Sequence, residues 1–281
     1  MAQADQSAHP VQQLREAVAS LEASALLCLT KPGKIAVHRL RTSTRRVEAQ
    51  LELLSMLHEL PPHQLQAHKA VRLLKQLRQA AGHVRDIDVQ RDLVRSEVAA
   101  TKTEGAPSPD GQLRREARRL RRVLKRNGEE AVDHLLRLLH KQRTRLRLVF
   151  AELLDALAPA GSVALSEAEL IALARDCYRN RRVPSLPDEA PQGPAQLHRI
   201  RKRAKLARNL AESAPQSFAE AHRLAASFEA LQQAGGEWHD WLILSEFAAD
   251  ELGKSAMLPR RFAALAERTL QEFQLRLSYK I

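Results

Sequence analysis

Aromatic residues are scarce in this chain, at 4% of its 281 residues. With so few rings, Leu and Ala must fill the core, and a core of that kind is built from helices. The same scarcity leaves few platforms on which nucleobases could stack. Cysteine is rarer still. Cys28 and Cys177 stand in apolar helical patterns, with no C-x-x-C and no His at metal-ligand spacing, which argues against a zinc site. They read as two buried free thiols in a reducing compartment; one disulfide is open to them, but nothing in the sequence asks for it. No apolar run approaches the ~18 residues that would span a bilayer. The amino-terminal MAQADQSAHP has no apolar segment of the kind a secretory signal carries. A cytoplasmic protein is expected. Alternation of apolar and polar residues is missing too, so no strand is predicted, and no GxxxxGK[ST] loop is present to cradle a nucleotide.

Positive charge is what the chain has in excess. Lys and Arg number 45 against 33 Asp and Glu, a net charge of +12, with a sequence pI near 10.3. Such a balance points to polyanions: nucleic acid, an anionic membrane surface or polymeric phosphate. Hydrophobic residues at 44% are enough for a packed core and too many for disorder.

Almost every segment has a period near 3.6. Helices are predicted over 9–29, 34–58, 62–80, 85–100, 112–126, 129–157, 166–180, 196–213, 216–233, 237–252 and 258–279. Breaks are expected at Lys31-Pro32-Gly33, Pro61-Pro62, Gly82, Asn127-Gly128 and Pro159-Ala160-Gly161. TKTEGAPSPDG, 101–111, reads as a loop tip. VPSLPDEAPQGPA, 183–195, holds four prolines and reads as a linker between an amino-terminal half, 8–182, and a carboxy-terminal half, 196–281.

The halves echo each other. Val37-His38-Arg39-Leu40-Arg41 returns as Leu197-His198-Arg199-Ile200-Arg201, and Arg45 matches Lys205. Downstream, Arg85-Asp86 falls against His239-Asp240; His38 precedes Asp86 by 48 positions and His198 precedes Asp240 by 42. A signature recurring at similar spacing implies an internal duplication. The expected fold is all-α, two related helical bundles packed together.

On a helical wheel, Val37, Leu40, Thr44, Val47, Leu51 and Leu54 form a core stripe, with His38, Arg41 and Arg45 on a ridge at i, i+3, i+7. In the second copy Leu197, Ile200, Ala204, Ala207 and Ala211 make the stripe. His198, Arg201, Lys205 and Arg208 form the ridge, with Lys202 beside it. A run of charge is ordinarily a solvated helix face. Here the carboxylates that would balance such a face are mostly missing and the His-x-x-Arg start occurs twice, so the ridges read as binding ladders along which phosphates could run. The helix 111–126 adds eight cations against one Glu, with Arg118 and Arg122 pointing away from its apolar face; Lys141 does the same in 137–147. A plain surface role competes evenly for these last two helices.

HRLRTSTRR at 38–46, HRIRKRAK at 198–205 and Gly82-His83-Val84-Arg85-Asp86-Ile87-Asp88-Val89 together resemble the signatures of the CHAD family, the conserved histidine α-helical domain. The resemblance covers most of the chain, giving a single CHAD domain over 8–281. It implies two helical bundles related by a pseudo-twofold, a basic central cavity, and binding of inorganic polyphosphate in association with polyphosphate granules. By position, His38, Arg41, Arg45 and Arg46 belong to the first ladder and His198, Arg201, Lys202 and Lys205 to the second. Arg208, Arg118, Arg122 and Lys141 complete the candidate phosphate-binding set. Arg85 and Asp86 look like a structural brace. The second copy reads Glu237-Trp238-His239-Asp240 and has lost that arginine. The Glu-x-Glu-x-Lys strand of triphosphate-processing relatives is missing, so their catalysis does not carry over.

The expectation is a non-enzymatic polyphosphate binder with no cofactor, metal or catalytic residue. A nucleic-acid binder is one alternative, although no DNA-reading motif is recognisable. A polyphosphate-processing enzyme is another. Asp86, Asp88 and Asp92 have helical spacing and could hold a divalent cation, but Arg85 and Arg91 beside them predict ordinary salt bridges.

Overall fold

Leu and Ala at helical spacing build helices throughout. In the computed structural model, residues 7–58, 60–103, 111–180 and 193–278 are described, and they hold eight α-helices. These are α1 (Pro10–Thr30), α2 (Lys34–Met56), α3 (Gln64–Thr103), α4 (Gly111–Leu157), α5 (Glu167–Asn180), α6 (Pro194–Glu212), α7 (Ala219–Leu252) and α8 (Met257–Leu277). Among the described residues the only β-type pairing is an isolated bridge between Ala8 and Leu165. Among the described residues no helix is long and apolar enough to cross a membrane.

The predicted breaks at Gly82 and Asn127-Gly128 do not occur; α3 and α4 run straight through them, and α7 joins two predicted helices. A helical Gly costs only ~1 kcal/mol against Ala, and burial of the flanking apolar residues outweighs that. At Gly235 the missing side chain is needed: a Cβ there would stand 2.8 Å from the Phe273 ring. That ring stacks on Trp238 with centroids 5.9 Å apart. The predicted loop 101–111 is helical at both of its ends, since α3 reaches Thr103 and α4 starts at Gly111. Its residues 104–110, and 183–192 of the Pro-rich linker, lie outside the described residues.

Two compact units are present, and they do not follow the sequence halves 8–182 and 196–281. The first comprises residues up to 81 together with 136–232; the second comprises 82–135 with 233–280. The long helices explain this, because α3, α4 and α7 each give part of their length to both units. In the first unit α2 packs against α1 and α6, and α5 against α6. The α2 stripe Val37, Leu40, Thr44, Val47, Leu51 and Leu54 is buried as its spacing predicts. The α6 stripe is buried at Leu197, Ala204, Ala207 and Ala211, with Ile200 half-exposed. Cys28 and Cys177 are both buried and not joined in a disulfide, and burial raises the Cys28 thiol pKa.

The second unit closes on Leu120, Leu124, Trp238, Leu244, Phe262 and Phe273. The Glu116 carboxylate accepts from the Leu258 amide at 2.9 Å and the Met257 amide at 3.3 Å, tying α4 to the start of α8.

Candidate anion-binding groove

Helix α2 buries one stripe against its neighbours and turns its cations to either side of that stripe. Helix α6 does the same with the second signature, and the two helices pack together. The first stretch of α3 completes a groove of about 780 Å³ within the first unit. Its cations are Arg45 from α2, Lys75 and Arg78 from α3, and Arg201, Lys202 and Lys205 from α6; Glu48 and Glu52 are its carboxylates. Cations from both signatures thus line one groove.

The electrostatics follow from this crowding. The Arg45 pKa is pushed down to about 9, first by burial and next by Arg41, with Arg78 and Arg201 adding to the effect; Glu48 opposes it. Lys202 is lowered as well, by burial and then by Arg78, Arg201 and Arg45. Glu48, which is shared with Arg78 through a bond from Arg78 Nε to its Oε1 at 2.8 Å, opposes the shift without cancelling it. The Arg45 Nε is buried and no acceptor among the described residues reaches it. A polyanion entering the groove would supply both the missing acceptor and the missing negative charge.

The first ladder is divided by its neighbours. Arg45 lines this groove, and Arg41 acts on it through Arg45. His38 and Arg46 are exposed and line a second groove of about 440 Å³ on the α1 side of α2, with Arg39. Of the second ladder, Arg201, Lys202 and Lys205 line the main groove, while His198 is half-buried and lines neither. Arg208 is held by carboxylates, at 2.7 Å from Glu212 and 3.1 Å from Glu229. Lys141 is exposed and lines neither groove; Arg118 and Arg122 are exposed on the part of α4 in the second unit. Sequence reasoning missed Lys75 and Arg78. Their signal was present: an i, i+3 cation pair beside the buried Leu73, Leu74 and Leu77.

In the second unit, Arg85 is the brace its sequence position suggested, with an unexpected partner. Its Nη1 donates to Asp240 Oδ1 at 2.9 Å and its Nη2 to Asp240 Oδ2 at 3.1 Å, a two-pronged grip joining α3 to α7. Asp86 is also reached, at 3.3 Å. Burial works against the Arg85 charge, but the hydrogen bonds and charge of Asp240, then those of Asp86, outweigh it and raise the pKa. Asp240, which has no arginine beside it in the sequence, is thus served by Arg85 of α3. Asp88 pairs with Arg91 at 3.9 Å, as its sequence neighbourhood predicts, and Asp92 pairs with Arg95 at 3.7 Å, a partner the sequence reading did not name.

A family model for the CHAD domain matches residues 12–249. Two solved structures share the fold. PptA from Streptomyces chartreusis is 15% identical, with a TM-score of 0.64, covering 96% of this chain and 98% of its own. The CHAD domain from the plant Ricinus communis is 16% identical, with a TM-score of 0.59, covering 97% of this chain and 89% of its own. No curated protein matches the sequence.

Proposed function

The chain belongs to the CHAD family, a family linked to polyphosphate binding, and from that premise we propose that it binds inorganic polyphosphate, without catalysis, through the groove between α2, α3 and α6. The observation that carries this reading is Arg45. Its guanidinium is half-buried among Arg41, Arg78 and Arg201, with its pKa pushed down and its Nε lacking an acceptor. A fold has little reason to hold so costly a charge unless an anion arrives to relieve it. Polyphosphate suits the groove: it is a flexible chain of charges without bases, and arginine forks bind phosphate oxygens in pairs. Several such contacts release counterions and make binding salt-dependent. Attachment to polyphosphate granules in the cytoplasm is the role that follows.

Labelled polyphosphate binding, competed by single-stranded DNA, duplex DNA and heparin, tests the reading. Polyphosphate should outcompete the others, and a variant with Arg41, Arg45, Arg201 and Lys205 all changed to Gln should lose binding. If DNA competes equally and the variant binds like the parent protein, the groove is ordinary surface charge.

A further inference from the structure

We propose that the groove between α1 and α2 is a second phosphoryl-binding site, which takes up the same polyanion chain where it crosses the ridge of α2. The proposal rests on the polyphosphate reading for the identity of its ligand and on a separate set of residues for its site.

The observations are local to α2. Arg45 and Arg46 are consecutive, so their side chains leave the helix about 100° apart. Arg45 lines the groove shared with α6, and Arg46 lines the groove shared with α1. A chain held on Arg45 therefore has only the helix ridge to cross before it meets Arg46. There it would find His38 and Arg39 as well, so three of the groove's nine lining residues are cationic or can become so. No carboxylate lines this groove. The end of α4's basic stretch differs: there Lys125 and Arg126 pair with Glu129 and Glu130.

The floor of the groove is built of hydroxyls. Ser43 is buried and its Oγ lies 2.9 Å from Ser24 Oγ and 3.3 Å from Ser20 Oγ. Three hydroxyls joined by two contacts hold one proton more than those contacts use, so one of them can turn it toward an anion while the two remaining bonds polarise in its favour. Cations at the rim with rotatable donors beneath them match a tetrahedral phosphoryl group: the guanidinium forks take two oxygens and a hydroxyl takes a third. The groove is open and shallow, so it would extend the hold on a long chain without gripping a short one that already fills the α2–α6 groove.

The test compares two inorganic probes, tripolyphosphate and long-chain polyphosphate, on three proteins: the unaltered chain, His38→Gln/Arg39→Gln/Arg46→Gln, and Arg45→Gln/Arg201→Gln. The three altered side chains of the first variant are exposed, and the single changes Arg39→Gln and Arg46→Gln are measured alongside it. The triple variant is expected to bind tripolyphosphate like the unaltered chain and long-chain polyphosphate about tenfold more weakly, each single change giving part of that loss. The Arg45→Gln/Arg201→Gln variant is expected to lose both. If the triple variant binds both probes unchanged, or loses both alike, the second site is overturned. If the unaltered chain binds neither probe, or Arg45→Gln/Arg201→Gln binds both as before, the polyphosphate reading itself falls.

Discussion

Arg45 and Arg85 are both half-buried arginines on long helices, and their surroundings push them in opposite directions. Arg85 has two aspartates in hydrogen-bond reach, and they raise its pKa against the effect of burial. Arg45 has three arginines acting on it and a glutamate already bound to Arg78, and its pKa falls to about 9. The first arrangement is complete in itself and serves the fold. The second leaves a buried Nε without an acceptor among the described residues, and the proposed anion would supply it. Residue type and burial do not distinguish the two; the partners do.

The largest effect should come from emptying the incomplete site. Arg45→Gln/Arg201→Gln is expected to weaken polyphosphate binding at least about a hundredfold, through lost charge-assisted hydrogen bonds, as titration of the two proteins would reveal. Breaking the complete site should do the reverse. Asp240→Ala is expected to destabilise the fold by about 2 kcal/mol, because it leaves the Arg85 charge without its main partner, and to leave polyphosphate affinity unchanged. Denaturant unfolding and the same titration separate those two outcomes.

A smaller effect concerns Arg45 alone. Because its folded pKa is depressed, the penalty for its charge is fully present below about pH 9, where folded and unfolded chains are both protonated. It shrinks as pH rises through that value and the folded form can release its proton. Arg45→Gln should therefore be more stable than the parent protein by about 1 kcal/mol at neutral pH without ligand, with the gap narrowing above pH 9 in parallel thermal melts. The smallest effect belongs to an exposed pair. Glu130→Gln removes the partner of Arg126 at 4.0 Å, and stability should move by less than about 0.5 kcal/mol.

Much of this contrast is legible in the chain itself. The spacing of Val37, Leu40, Thr44 and Val47 sets the core face of α2, and the i, i+3, i+7 recurrence of His38, Arg41 and Arg45 marks the charged flank. A wheel cannot say which helix packs on which side of that flank. With α6 on one side and α1 on the other, the ladder is divided between Arg45 and Arg46. Arg78 and Glu48 are thirty residues apart, and their bond depends on tertiary packing that leaves no local mark. Arg208 had one partner in view, Glu212 a turn away, and one out of view, Glu229 on α7. Gly82 and Gly128 carry a local tendency to break helices that the long apolar faces of α3 and α4 overrule.

The most direct test of the central claim is the salt dependence of polyphosphate affinity in the unaltered chain and in Arg45→Gln/Arg201→Gln. If these arginines neutralise phosphates, the slope of log K against log salt should fall by about one for each arginine removed, alongside the loss of affinity. Equal slopes and equal affinities would mean that the crowded arginines between α2 and α6 do not bind the polyanion.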